Sequence, residues 1–180
     1  MTDHHLYAHA GQPGLAIHTL VAEVRRPTPQ RLHVRFIAAG AAGEVLLPEA
    51  KPPARSDGLW RTTCFEAFIR PVGSLAYREL NFSPSGQWAA YVFDDYRSGA
   101  RNAAVLDAPA IDVRIESGRL LVDVDLALEL PEMPCELGLS AVIEERGGAK
   151  IYWALAHAPG PPDFHNAACF AADLPPPDKV

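Results

Sequence analysis

Short segments in which apolar and polar residues alternate follow one another along most of this chain. In one of them, Leu32, Val34 and Phe36 share a face while polar residues occupy the other, which is the period of a half-buried β-strand. Turns rich in proline and glycine separate the segments, and 17 of the 180 residues are proline. No segment keeps a helical period with capping residues at its ends. The pattern predicts an all-β domain, an antiparallel β-sandwich.

The alternation also gives an approximate position for each strand. The segment 59–69 carries large side chains on both faces, with Phe65 on one and Trp60 and Glu66 on the other, so we predict a central strand covered on each side. The sequence SPSG predicts a hairpin turn in which Gly86 supplies a positive φ. We predict strands over residues 17–24, 31–39, 46–47, 59–69, 77–82, 87–93, 110–115, 120–126, 137–144, 151–158 and 169–171.

The chain contains neither a linker long enough to separate two domains nor an internal repeat. We therefore predict one sandwich domain over residues 15–175, with a C-terminal tail over residues 176–180. Residues 1–14 are polar and include three histidines, and we expect them to form a flexible N-terminal tail rather than a metal site.

Composition narrows the range of partners. The net charge is −6, from 16 basic and 22 acidic residues, and no cluster of Lys and Arg offers the footprint that nucleic acid needs. Three cysteines without C-x-x-C spacing argue against a disulfide framework and a structural zinc site. Neither a signal peptide nor a membrane-spanning run is visible, so we expect a soluble, cytoplasmic protein.

Motifs that mark catalytic sites are missing from the sequence. It has no G-x-S-x-G, no phosphate-binding glycine loop and no H-E-x-x-H. Cys169 lies four residues after His165, but a thiol in the apolar stretch AACFAA predicts packing. His157, Asp163 and His165 could supply a two-histidine, one-carboxylate metal site, although local hydrogen bonding in the loop explains them better. We predict no catalytic residue, no metal and no cofactor.

Tryptophans and tyrosines on the predicted strands stand close in sequence to polar groups such as Glu66, Glu79, Asn81 and Arg97. Polar groups are awkward in a strand unless they meet a partner, and a few aromatic rings around convergent polar groups form a small-molecule site. The alternative is that the tryptophans belong to the core and the carboxylates pair with neighbouring arginines.

Three blocks, LWRTTCFEAFIRP, YRELNFSPSGQWAAYVFDDYRSG and YWALAHAPGPPDFHNAACF, resemble the DOMON-like, family 9 carbohydrate-binding-module-like superfamily. The resemblance implies an immunoglobulin-like β-sandwich that binds a sugar or haem. It further implies that Trp60 stacks on a sugar ring while Glu66, six positions later, hydrogen-bonds the sugar hydroxyls. In that family, an Asn-x-x-Trp-like stretch late in the sequence supplies a second aromatic wall for the sugar. The matching region here contains His165–Asn166 and Phe170 but no tryptophan. Trp153 or Phe164 could therefore substitute for the missing tryptophan.

We therefore predict a noncatalytic binding module for a carbohydrate-like or other small polar ligand. A haem-binding electron-transfer domain, with His157 and His165 as axial ligands, is one alternative. An enzyme is the other, with an acid/base pair among Glu66, Glu79, Asp163 and His165. The predicted ligand contacts are Trp60, Glu66, Asn81, Tyr91, Arg97 and His165.

Overall fold

The computed structural model of the protein describes residues 2–12 and 16–178. Within these ranges, all strands pair antiparallel in one continuous sheet, in the order β7-β6-β5-β4-β10-β11-β1-β2-β3-β9-β8, with β12 added beside β10. The strands are β1 (Thr2–Ala8), β2 (Ile17–Thr28), β3 (Arg31–Gly40), β4 (Cys64–Pro71), β5 (Tyr77–Phe82), β6 (Trp88–Phe93), β7 (Arg101–Asn102), β8 (Ala110–Glu116), β9 (Arg119–Ala127), β10 (Cys135–Glu144), β11 (Lys150–Ala154) and β12 (Ala172–Asp173).

The sheet curls on itself so that its two halves pack face to face, and the predicted antiparallel all-β fold is confirmed. Phe36 of β3 lies in one half and Phe65 of β4 in the other, and their rings are 5.0 Å apart. Both side chains are fully buried. The apolar residues of the two inner faces form one shared core, whose removal from water is the main favourable contribution to folding.

Strand β4 is covered on both faces, as the sequence predicted. Phe65, Ala67 and Ile69 point into the shared core. Glu66 and Phe68 point to the opposite side, yet they are only 2% and 1% exposed. A second layer therefore covers the outer face of this half of the sheet, and that layer contains the candidate site.

The prediction of a flexible tail over residues 1–14 is wrong for residues 2–8. This segment is β1, which pairs with β2 through residues 2–6 and with β11 through Tyr7 and Ala8. Alternation of apolar and polar residues does not reveal this strand, because most of its side chains are polar and exposed and only Leu6 enters the core. Backbone hydrogen bonds to two neighbours hold it in place instead. Residues 13–15 lie outside the described part of the chain.

Other differences concern the ends of elements. Residues 59–61 form a short 3₁₀ helix before β4, and 46–47 form no strand, although Val45 makes a single bridge to Glu145. The last predicted strand begins later, at Ala172, because residues 167–169 form another 3₁₀ helix. In the predicted C-terminal tail, Asp178 is tied to β2 by an ion pair with Arg25, and residues 179–180 lie outside the described residues.

Among the described residues, no helix has the length and hydropathy needed to cross a membrane.

Leu6 and Tyr7 provide a direct test of β1. Leu6 is 3% exposed and Tyr7 is 62% exposed, so Leu6→Ala removes core contacts whereas Tyr7→Ala removes almost none. We expect Leu6→Ala to lower the free energy of unfolding by about 2 kcal/mol, and Tyr7→Ala to change it by less than about 0.5 kcal/mol. Urea unfolding followed by tryptophan fluorescence measures both. Equal effects of the two substitutions would contradict the described strand.

Candidate functional site

A cavity of about 540 Å³ opens on the outer face of the half-sheet that contains β4, β5 and β6, on the side away from the shared core. Aromatic and charged side chains line it together, and its size is within the range of small-ligand sites. Its lining residues are Gln12, Trp60, Glu66, Phe68, Glu79, Tyr91, Phe93, Arg97, Ala100, Val142, Tyr152, Pro162, Phe164 and His165.

The floor of the cavity, which is the face of β4, β5 and β6 turned towards it, consists of adjacent rows of side chains. The strand register determines which residues stand in each row. Residues that are paired across antiparallel strands project from the same face. Phe68 of β4 pairs with Glu79 of β5, and Glu79 pairs with Tyr91 of β6. The Glu79 carboxyl thus lies in a row between two aromatic residues. The adjacent row brings Glu66 to the same face.

Glu66 and Glu79 are two buried carboxyls that interact electrostatically across the floor. Ser140 Oγ donates to Glu66 Oε2 at 3.0 Å, and Asn81 Nδ2 donates to Glu79 Oε1 at 2.7 Å. Burial raises the pKa of both groups, and the charge of Glu79 raises the pKa of Glu66 further. Loss of hydration disfavours the charged form of a carboxyl, and a nearby like charge acts in the same direction. The pair therefore holds a proton more tightly than isolated carboxyls do.

His165 closes the floor from the loop after β11. Its Nε2 lies 3.5 Å from Glu79 Oε2, and its Nδ1 lies 2.7 Å from the Tyr77 hydroxyl. The Tyr77 hydroxyl accepts a hydrogen bond from the Arg97 backbone N–H, so it is free to donate to Nδ1. Burial, followed by the charge of Arg97, lowers the pKa of His165 to about 4. A neutral imidazole with its proton on Nε2, directed at Glu79, satisfies all of these contacts.

Arg97 lies on the tight turn that follows β6. Its backbone is in the left-handed region, with a φ of 51°, and the turn is closed by a hydrogen bond from the Asp94 N–H to the Ser98 carbonyl. Asp163 then fixes the side chain, since its Oδ1 accepts from Arg97 Nη2 at 2.7 Å. Tyr96 donates to the other oxygen of Asp163. The guanidinium is thereby held at the cavity although half of the side chain is exposed.

Trp60 forms part of the cavity wall from the short 3₁₀ helix at residues 59–61. Gly58 precedes this helix with a φ of 72°, a left-handed conformation that glycine adopts without strain. Leu59 anchors the helix in a small apolar cluster, whereas Trp60 remains 50% exposed. A half-exposed indole beside buried polar groups offers a flat apolar surface to a ligand.

The second aromatic wall comes from the loop after β11 and from β11 itself. Phe164 and Tyr152 both line the cavity, and their ring centroids are 6.1 Å apart. Trp153, the other candidate for this wall, is 5% exposed and belongs to the shared core. It cannot serve as a wall because it points to the opposite face of β11 from Tyr152.

The structure brings together five of the six predicted contact residues, Trp60, Glu66, Tyr91, Arg97 and His165. The prediction for Asn81 is wrong as to position. Its side chain, in the row of Glu66, is 1% exposed and donates to Glu79 without lining the cavity. Whether the five residues bind a ligand stays a prediction.

Sequence reasoning left several lining residues out of the predicted contacts, and two of them could have been found from the period of two. Phe68 follows Glu66 on the same face of β4, and Phe93 follows Tyr91 on the same face of β6. Glu79 could be assigned to the cavity only from the pairing of β5 with β4, which the sequence does not give. Ala100 and Pro162 lie in loops, for which alternation gives no signal.

The structure bears differently on the haem, metal-site and enzyme alternatives. His157 does not line the cavity with His165, and its Nε2 contacts the Tyr7 carbonyl oxygen at 2.8 Å, so the two histidines do not face one haem-sized space. In the described part of the chain, no group of His, Cys, Asp and Glu has the geometry to hold a metal ion. The residues that the sequence suggested for an enzyme do lie together. The His165 imidazole contacts Glu79, and the backbone N–H of His165 donates to the Asp163 carboxylate.

The same architecture occurs in solved structures. A protein from Bacteroides uniformis ATCC 8492, described as a proposed carbohydrate-binding protein, superposes with a TM-score of 0.66 at 12% identity, over 96% of this chain and 85% of its own. A family 9 carbohydrate-binding module from Caldicellulosiruptor kristjanssonii in complex with cellotriose superposes with a TM-score of 0.54 at 8% identity, over 90% and 76%. The chain has the fold of family 9 carbohydrate-binding modules. The DOMON part of the resemblance stays a prediction.

No protein-family model matches the sequence, and no curated protein matches it significantly.

The carboxyl pair predicts how stability depends on pH. A raised folded-state pKa means that the folded protein holds a proton that the unfolded chain releases near pH 4.5, so this contribution to stability falls as pH rises above 4.5 through the raised pKa. Glu66→Gln removes the titratable carboxyl at position 66. The titration of His165 contributes equally to the stability of the variant and of the wild type, so it cancels in the difference. We expect the free energy of unfolding of Glu66→Gln, minus that of the wild type, to increase between about pH 5 and 8, by at most about 1.4 kcal/mol per pH unit.

Urea titrations at several pH values measure this difference. The same exchange at Glu116, which is exposed on β8, controls for the loss of one negative charge. A difference that stays constant or falls with rising pH would contradict the raised pKa of the pair.

Proposed function

We propose that this protein is a noncatalytic carbohydrate-binding module whose cavity holds a sugar ring. The observation that carries the proposal is the half-exposed indole of Trp60 on the wall of a cavity floored by two buried carboxyls. A sugar has an apolar C–H face that packs on an aromatic ring, and its hydroxyls need well-oriented acceptors and donors. The fold shared with a module that was solved with cellotriose supports the same ligand class.

Each wall residue has a distinct part in this proposal. Trp60 is the stacking platform, and Phe164 with Tyr152 offers the facing apolar surface. Glu66 accepts from sugar hydroxyls, and Arg97 donates to sugar oxygens through the guanidinium edge that Asp163 leaves free. Because Asp163 fixes Arg97 before the ligand arrives, little side-chain entropy is lost on binding.

The arrangement of the carboxyls favours binding over hydrolysis. Glycosidases place their two carboxyls on either side of the bond that breaks. Glu66 and Glu79 instead come from neighbouring strands and project from one face of one sheet. The proximity of His165 to Glu79 gives an acid/base pair within the cavity, so the catalytic alternative has its own test below.

Removal of the stacking platform should reduce sugar affinity. Trp60→Ala deletes the indole, and we expect the dissociation constant for a bound saccharide such as cellotriose to rise at least about tenfold. Tyr7→Ala is the matched control, because it truncates an aromatic residue of similar exposure that does not line the cavity. Isothermal titration calorimetry measures both variants. Unchanged affinity in Trp60→Ala, or no binding by the wild type across a broad saccharide panel, would refute the proposal.

Prolonged incubation of the protein with cellotriose should leave the sugar intact, because a binding module releases its ligand unchanged. Anion-exchange chromatography of the mixture over several days would detect shorter saccharides. Cleavage by the wild type that disappears in Glu66→Gln and Glu79→Gln would establish the catalytic alternative and overturn the noncatalytic part of the proposal.

A further inference from the structure

The charges around the cavity are unequal. Among the described residues that line it, Glu66 and Glu79 are the acids and Arg97 is the permanent cation. Arg97 already has a counter-ion, since its guanidinium lies 2.7 Å from the Asp163 carboxylate. His165 is neutral at physiological pH because burial lowers its pKa to about 4. The charge of Arg97 lowers the pKa of both floor carboxyls in part, but among the described lining residues this one permanent cation is shared between them and Asp163.

Hydrogen bonds within the protein satisfy the carboxyl pair only in part. Glu66 is 2% exposed and accepts from Ser140 at Oε2. No donor among the described residues reaches its other oxygen, Oε1. Glu79 accepts from Asn81 at Oε1, and its Oε2 has only the long 3.5 Å contact with His165. Both residues line the cavity, so a ligand bound there can supply donors to these two oxygens.

Aromatic rings surround these oxygens. Glu79 lies in its row between Phe68 and Tyr91, and Trp60 with Phe164 forms higher parts of the wall. Aromatic faces attract cations through the ring quadrupole, most strongly where water is excluded. Tyr91 itself donates to Asp57 at 2.6 Å, which directs its hydroxyl away from Glu79 and leaves the ring as its contribution to the cavity.

We propose that the ligand of this cavity carries a protonated amino group, as an amino sugar does, and that this group binds between Glu66 and Glu79. The inference rests on the proposed function and names the class of sugar. An ammonium group supplies three donors and a positive charge that is not shared with Asp163, whereas a hydroxyl supplies a single donor and no charge. The rest of the sugar ring then packs on Trp60.

Three matched saccharides test the inference by calorimetry at about pH 6.5, where alkyl amines are protonated. Glucosamine carries the charged group, glucose replaces it with a hydroxyl, and N-acetylglucosamine keeps the nitrogen without the charge. We expect glucosamine to bind about tenfold more tightly than either of the others, because hydrogen bonds between charged partners are stronger than neutral ones. Glu79→Gln should bring the ratio of the glucosamine and glucose affinities close to one.

A second readout needs no variant. A bound cation favours the ionised form of both carboxyls, so glucosamine binding should release up to about one proton, whereas glucose binding should release almost none. Titration in phosphate and in MES, which differ in ionisation enthalpy, measures this number. Equal affinity for glucose and glucosamine, or equal proton release, would overturn the inference and leave the carbohydrate-binding proposal intact.

Cyclohexylamine and cyclohexanol separate the inference from the proposed function. Binding of cyclohexylamine but not cyclohexanol, together with no binding of any saccharide, would support the cation site and refute the carbohydrate-binding module. Failure of all five compounds, of cellotriose and of the broader saccharide panel to bind would refute both.

Discussion

The register of β4 between β5 and β10 sets the core and the floor of the cavity together. Alternate side chains of a strand point to opposite faces, so the pairing that sends Phe65 and Ala67 into the core also sends Glu66 and Phe68 into the cavity. A slip by one residue would exchange the two sets and place carboxyls in the apolar core. The core therefore fixes the chemistry of the site, because the apolar face tolerates only one register.

The floor reduces the stability that this fold could otherwise have. Burial raises the pKa of both floor carboxyls, and the charge of Glu79 raises the pKa of Glu66 further, so ionisation of the pair is disfavoured. Ser140 and Asn81 offset part of this cost through one hydrogen bond each. Groups that break the rules of core packing in this way are concentrated at functional sites, where a ligand compensates for them. The carboxyl pair thus supports the proposed binding role of the cavity.

Alternation in the sequence was sufficient to predict the all-β fold and the central, doubly covered β4. It failed where contacts that are distant in sequence determine the structure. β1 has a mostly polar, exposed sequence, and its place depends on pairing with β2 and β11. Trp60 was predicted in a strand, but the left-handed Gly58 begins a 3₁₀ helix that places the indole on the cavity wall. The role of Asn81 beside Glu79 depends on a side-chain hydrogen bond that no sequence pattern shows.

The candidate site has a floor of regular strands and walls of loops and a short helix. Floor residues such as Glu66 share their strands with the core, so a substitution there alters folding as well as binding. Trp60, Arg97 and Phe164 lie on segments whose loss of contacts is local. Substitutions in the wall residues can therefore change the preference of the site for one ligand over another without disturbing the fold. The polar floor can change only together with the strands that form the core.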